Sequence, residues 1–157
     1  MVRFLSGGSM DKVLFYEGPW YFFSNFSSFM VRWRGIDWQT AEHAYQAAKF
    51  TDPVIVEKIR CARSAHDAKK ISRAHSDQVV PNWYEINLDV MEEIVRAKRD
   101  QHPYVLQKLL ETDGMEIIED SPKDAFWGRG PDGNGLNNLG KTWMKLRKES
   151  RNAIGAA

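Results

Sequence analysis

The chain has 157 residues, 43% hydrophobic and 27% charged, which suits one globular domain that buries about two-thirds of the surface of its unfolded form. Its 22 basic and 21 acidic residues leave a net charge of +1, so no bulk field draws it onto nucleic acid or a membrane surface. The single cysteine, Cys61, excludes an internal disulfide framework and fits a reducing cytoplasm, and no apolar run approaches the roughly 20 residues that span a bilayer. The aromatic content stands out, with six Trp, eight Phe and five Tyr.

Residues 1–9 are short and polar, unlike a signal peptide, and Met10 offers an alternative start. They are expected to form a leader outside a domain spanning 10–150, with 151–157 as a tail. Residues 13–16 read as a strand ending at Gly18-Pro19. In the aromatic run that follows, Asn25 needs partners for its amide, so it either caps a local turn or faces a ligand. Residues 29–33 and 36–38 read as two strands of a short hairpin turned at Gly35.

Residues 37–50 form the most informative stretch. Thr40 is placed to cap a helix. Successive residues turn by about 100°, so Glu42, Gln46 and Lys49 fall within roughly 40° of one another, with Tyr45 at the edge of the stripe. Ala41, Ala44, Ala47 and Ala48 keep the rest of the helix small. This pattern suits a helix built beside a polar pocket. The plain alternative is a solvated face, in which Glu42 in the first turn and Lys49 near the last each offset the helix dipole. A first-turn Glu42 is expected to be exposed and ionised.

Beyond Phe50 the pattern is helical and increasingly basic. Pro53 suits the first turn of a helix to about Arg60, and residues 65–72 form another. Arg60, Arg63, Lys69, Lys70 and Arg73 either hold a phosphate or form a solvated face. His43, His66 and His75 lack ligand spacing, so no metal site is expected. The longest helical pattern runs over 84–99 with Ile86, Val90, Ile94 and Ala97 as its apolar stripe. Pro103 breaks it, 105–110 adds a turn or two closed by Gly114, and 115–119 reads as a short strand. A glycine-rich loop over 124–141 then feeds a helix at 141–148, whose first amides could hold an anion. Gly128, Gly130 and Gly133 satisfy G-x-G-x-x-G, but Pro131 sits inside it and no βαβ unit surrounds it, so a dinucleotide fold is rejected.

Ser24-Asn25-Phe26, Trp38 with Ala41-Glu42-His43-Ala44-Tyr45-Gln46-Ala47-Ala48-Lys49-Phe50, Asn82-Trp83, Asp124-Ala125-Phe126-Trp127-Gly128 and Asn137-Asn138-Leu139-Gly140 together resemble the NADAR family. The resemblance runs from about Phe15 to Glu149, in matching order and spacing. It implies a compact single α+β domain, mainly helical with a few short strands, and an N-glycosidase that needs no cofactor. One branch of the family cleaves ribosylamino-pyrimidine 5′-phosphates, early intermediates of riboflavin synthesis. Another removes ADP-ribose from guanine bases.

Breaking a C–N glycosidic bond builds positive charge at ribose C1′, which a carboxylate beneath it stabilises. The resemblance implies Glu42 in that role, and Lys49 as a second catalytic group able to attack C1′ and form a Schiff base. Trp83 and Trp127 would stack on the base, Asn25 and Gln46 would read polar edges, and Asp124 would order the site. Phe26, Tyr45, Gly128 and Asn137 complete the implied binding set. The partner is then a small phosphorylated ribosyl compound or an ADP-ribosylated guanine, with no membrane and no stable nucleic-acid complex. Two other classes stay open: a non-catalytic module binding ADP-ribose or NAD-like ligands, and an interaction protein whose aromatics are plain core.

Overall fold

The structure is a computed structural model that describes residues 11–156, so the expected leader at 1–9 lies outside the described residues. Strand β1 (Lys12–Phe15) alternates outward and inward side chains, sealing Val13 and Phe15. It pairs in parallel with β4 (Glu116–Glu119), and Phe15 stands opposite Glu119. Both strands fall close to where the sequence places them. Their pairing is not visible there, because a parallel partner can lie anywhere beyond a long crossover. Strands β2 (Val31–Trp33) and β3 (Ile36–Trp38) form the expected antiparallel hairpin, turned by Arg34 and Gly35 at φ 51° and 76°.

Helix α1 (Ala41–Ala47) starts as expected, with the Thr40 hydroxyl accepting from the His43 amide at 3.2 Å. It stops at Ala47, so Lys49 lies past its end rather than in its last turn. Helices α2 (Pro53–Arg60) and α3 (Ala65–Ala74) are capped by Asp52 and Ser64. Helix α4 (Trp83–Gln101) runs into α5 (Pro103–Glu111) with only His102 between them; Pro103 ends one helix and opens the next. Helix α6 (Asn138–Gly155) is longer than the expected 141–148, because Trp143, Leu146 and Ser150 carry its buried stripe onward.

Helix α4 packs against α1, α5, α6 and β2, while α6 lies on β4. Met91, Ile94, Phe23, Phe15, Leu139 and Trp143 make the sealed centre. The Trp143 indole donates to the Phe23 carbonyl at 3.1 Å, with the two rings 5.0 Å apart. Gly140 marks the closest approach of α6 to β4: a Cβ there would collide with the Ile117 carbonyl and the Asn137 amide. The same centre holds Lys98, which is fully buried. Its Nζ donates to the Ser24 carbonyl and the Ser27 hydroxyl, both at 3.0 Å, and so clamps the turn that carries Asn25.

Candidate active site

The clamped turn docks directly on α1, where the Glu42 amide donates to the Asn25 carbonyl at 3.1 Å. The whole of α1 is buried, which corrects the expectation of an exposed first-turn carboxylate: Glu42 is only 6% exposed. The stripe reading of this helix survives, but the stripe points inward rather than to water. Gln46 Nε2 donates to Glu42 Oε1 at 2.7 Å. Burial pushes the Glu42 carboxyl above its ordinary range; the Gln46 hydrogen bond and the charges of Lys69 and Lys49 oppose the rise, and Asp124 adds to it.

Lys49 is half-buried at the end of this stripe, with its Nζ 5.4 Å from the Tyr45 ring centre and 5.8 Å from that of Trp83. Burial lowers its amine below the usual lysine range, and Lys69 and Arg73 push the same way against the charge of Glu42. Two members of the basic cluster on α2 and α3 therefore stand close enough to Lys49 to act on its charge. Arg60 belongs elsewhere, paired with Glu57.

An aromatic wall closes one side. The Trp127 indole donates to Tyr45 Oη at 3.2 Å, and the two rings meet edge to face at 5.5 Å. Burial holds the Tyr45 phenol well above its ordinary range, so it keeps its proton. Trp83, expected to stack on a base, is 4% exposed and packs on Tyr45 at 5.2 Å. It backs the wall and presents no free face. Trp127 remains half-buried, and Phe26 is half-buried against His66. His43 is sealed and bonded to Thr40 Oγ1 and the Ala62 carbonyl, so it serves the fold.

The glycine-rich loop differs most from expectation. Asp124 Oδ1 accepts from the Phe126 and Trp127 amides at 2.9 and 2.8 Å, which sets the Trp127 ring in place. Gly128 was expected to admit a ligand; a Cβ there would instead sit 2.8 Å from the Glu119 carbonyl and 3.0 Å from that of Asp124, so the close approach is of the loop to the protein itself. Asn137, expected to touch substrate, commits its amide to β4: Oδ1 accepts from the Glu119 amide and Nδ2 donates to the Ile117 carbonyl, both at 2.9 Å. The first amides of α6 are occupied as well, since those of Asn138 and Leu139 donate to the Phe126 and Trp127 carbonyls. They are not free for an anion.

Glu119 is the residue that sequence reasoning missed. Burial raises its carboxyl to about 8, with Asp124 and Glu42 adding to the rise and Lys69 opposing it. A glutamate at the end of a short strand carries no signal of its own, because only the parallel pairing and the loop closure bring it to Glu42. Among the described residues, three buried side-chain polar atoms have no hydrogen-bond partner: Asn25 Oδ1, Gln46 Oε1 and Glu119 Oε2. All belong to residues that touch or electrostatically face Glu42. Orphan polar atoms gathered in one place mark a site built to meet a polar ligand. Shallow apolar hollows beside α5 (Pro103, Leu106, Leu110) and on α2 (Pro53, Val54, Cys61) carry none of these groups. Among the described residues no cluster of His, Cys, Asp and Glu is arranged to hold a metal ion, and no helix is long and apolar enough to cross a membrane.

Comparison with known proteins finds a family and several relatives for the chain. The model of the NADAR domain matches residues 14–151. A riboflavin biosynthesis protein of Vibrio vulnificus is 41% identical over 128 residues, covering 82% of this chain but only 35% of that longer protein. An N-glycosidase of Nostoc punctiforme is 37% identical over 139 residues, covering 87% of this chain and 89% of its own. The solution structure of the Escherichia coli protein YbiA superposes with a TM-score of 0.85 at 33% identity, covering 94% of this chain and 89% of that one.

Proposed function

The chain belongs to the NADAR family, and on that premise we propose that it is an N-glycosidase cleaving the bond between ribose C1′ and an exocyclic amine nitrogen, in ribosylamino-pyrimidine 5′-phosphates. The observation that carries the reading is the sealed Glu42 beside a lysine whose amine is lowered by burial, ringed by unpartnered amide oxygens. A lysine lowered in this way holds more neutral amine than a free one, which favours its attack as a nucleophile.

The chemistry proceeds from the substrate's own nitrogen. Its lone pair displaces the ring oxygen O4′ from C1′, O4′ takes the proton that the nitrogen gives up, and C1′ becomes the electrophilic carbon of an imine. The Lys49 amine adds to C1′, and the C1′–N bond to the pyrimidine breaks, with the nitrogen taking the electron pair and a proton. Water then hydrolyses the Schiff base on Lys49 and releases the sugar. Glu42 faces the positive charge that develops at C1′; its Gln46 hydrogen bond and the two nearby lysines favour the anion. The unpartnered oxygens of Asn25 and Gln46 suit the hydroxyl donors of the ribose. Trp127 offers the ring for stacking, and Lys69 and Arg73 suit a 5′-phosphate. The names of the Vibrio protein and of a maize protein, 35% identical over 150 residues that cover 24% of its length and called a chloroplastic riboflavin biosynthesis protein, place these relatives in riboflavin biosynthesis, which supports an intermediate of that synthesis as the substrate.

Mass spectrometry of products tests the reading. Incubation with a ribosylamino-pyrimidine 5′-phosphate is expected to yield the free pyrimidine amine and ribose 5-phosphate. Release of ADP-ribose from ADP-ribosylated guanine, with the pyrimidine substrate untouched, would move the protein to the other branch of the family. A stable complex with either compound and no product would show a binding module.

A further inference from the structure

We propose that Glu119 is the catalytic acid of this site, delivering the proton that the departing amine nitrogen takes up; this rests on the N-glycosidase reading above. A glycosyl amine leaves poorly as an anion, so some group must hand it a proton as the C1′–N bond breaks. Neither Glu42 nor Lys49 suits that task. Burial raises the Glu42 carboxyl too, but the Gln46 hydrogen bond and the charges of Lys69 and Lys49 oppose that rise and favour the carboxylate. Lys49 must be unprotonated to attack.

Glu119 has the opposite surroundings. Its Oε2 is sealed and accepts no hydrogen bond, so an ionised oxygen there would be left without compensation. The charged groups facing it are Asp124 from the loop and Glu42 from α1, both negative, against a single cation, Lys69 from α3. Of two carboxyls that feel each other, one held by a side-chain donor and two lysines and one with no donor on its sealed oxygen and a single lysine, the first suits a base and the second an acid. The proton settles on Glu119, whose carboxyl titrates at about 8 and so stays largely protonated at neutral pH. The other candidates fail on their own geometry. Asp124 Oδ1 already accepts two backbone amides, and the Tyr45 phenol is too weak an acid.

The backbone is built to hold this carboxyl still. The Glu119 amide donates to Asn137 Oδ1, and its carbonyl accepts from the Arg129 amide at 2.9 Å while Gly128 packs against it. On the far side β4 pairs with β1. In the cycle, Glu119 gives its proton to the leaving nitrogen as that nitrogen takes the C1′–N electron pair. The resulting carboxylate then takes a proton from the water that hydrolyses the Lys49 Schiff base, which returns Glu119 to its starting state.

The test uses Glu119→Gln, which keeps the shape and cannot give up a proton, with Glu119→Asp as a shorter acid. Two substrates separate the roles: a ribosylamino-pyrimidine 5′-phosphate, and an N-ribosyl nitroarylamine 5-phosphate, whose electron-poor nitrogen leaves with less help. Glu119→Gln is expected to lose about 100-fold or more in kcat on the first and under about tenfold on the second. The wild-type fall in rate above pH 8 should vanish in Glu119→Gln and persist, at lower rate, in Glu119→Asp. Equal losses on both substrates with the pH profile unmoved would overturn the proposal and leave Glu119 a structural residue. Carbon-13 titration of the Glu119 carboxyl gives a reading independent of turnover: a carboxyl already ionised at pH 6 would overturn the proposal even if the enzyme is active. Wild-type protein that cleaves neither substrate would instead overturn the glycosidase reading, and this proposal with it.

Discussion

Lys98 offers a stability prediction that the geometry fixes closely. The side chain is fully buried in α4, with its Nζ bonded to Ser24 and Ser27 and 5.0 Å from the Phe29 ring, and no carboxylate among the described residues pairs with it. Burial alone lowers its ammonium from 10.5 to about 7. The unfolded chain therefore binds a proton at this site between about pH 7 and 10.5, while the folded chain does not. Stability contributed by Lys98 must rise with pH across that window, by up to about 1.4 kcal/mol per unit, or roughly 4–5 kcal/mol in all. Below pH 7 both states hold the proton and the full penalty applies. Lys98→Met removes the titration and keeps the length of the side chain. Urea unfolding of both proteins at pH 7, 8 and 9 isolates the effect, because every other group cancels in the difference. The wild type is expected to gain on Lys98→Met by about 1 kcal/mol or more per unit of pH. A difference that stays constant from pH 7 to 9 would refute the assignment of an unpaired, buried amine.

Two further predictions concern named contacts. Glu42→Gln keeps the size of the side chain and removes the charge facing C1′, so kcat should fall by roughly 100-fold or more, read by steady-state kinetics. Because the carboxyl is buried and desolvated, the same variant should melt at an equal or higher temperature, and a clear drop would point to a structural role. Gly140→Ala forces a methyl into the Ile117 carbonyl and the Asn137 amide, which should cost about 3 kcal/mol or more and lower Tm by roughly 6–12 °C. A melting temperature within a degree or so of wild type would show that α6 and β4 can part more easily than their packing suggests.

Much of this molecule is legible in its sequence. Local signals carried it: Thr40 ahead of an alanine-rich helix, Gly35 between two short strands, Pro53 at a helix start and Pro103 at a helix break. Each acts through its own backbone or a neighbour a few residues away. Glu42 and Gln46 are also legible as a pair, since helix geometry puts them on one side, whereas Lys49 lies past the helix end and reaches Glu42 through the turn that follows. Whether that side faces water or the interior is not local, and the exposed reading of Glu42 failed there. The turn over Ser24–Ser27, held by Lys98, covers the start of α1, and no spacing rule connects residues so far apart. Glu119 stayed hidden for the same reason, because its place depends on β1 and β4 pairing across the whole domain. Gly128 and Asn137 show the converse case. They look like ligand contacts in the sequence, yet they hold the loop against β4 and so place Glu119 and Trp127.

Borohydride trapping tests the central claim, that Lys49 attacks C1′ beside Glu42, most directly. Reductant added during turnover of a ribosylamino-pyrimidine 5′-phosphate is expected to leave a covalent sugar phosphate on the protein, located on Lys49 by peptide mass spectrometry. Lys49→Arg keeps the charge but offers no useful nucleophile at neutral pH, so it should lose both the adduct and the rate. Turnover of the wild type without any trapped adduct, together with a Lys49→Arg variant of near-normal rate, would contradict the claim.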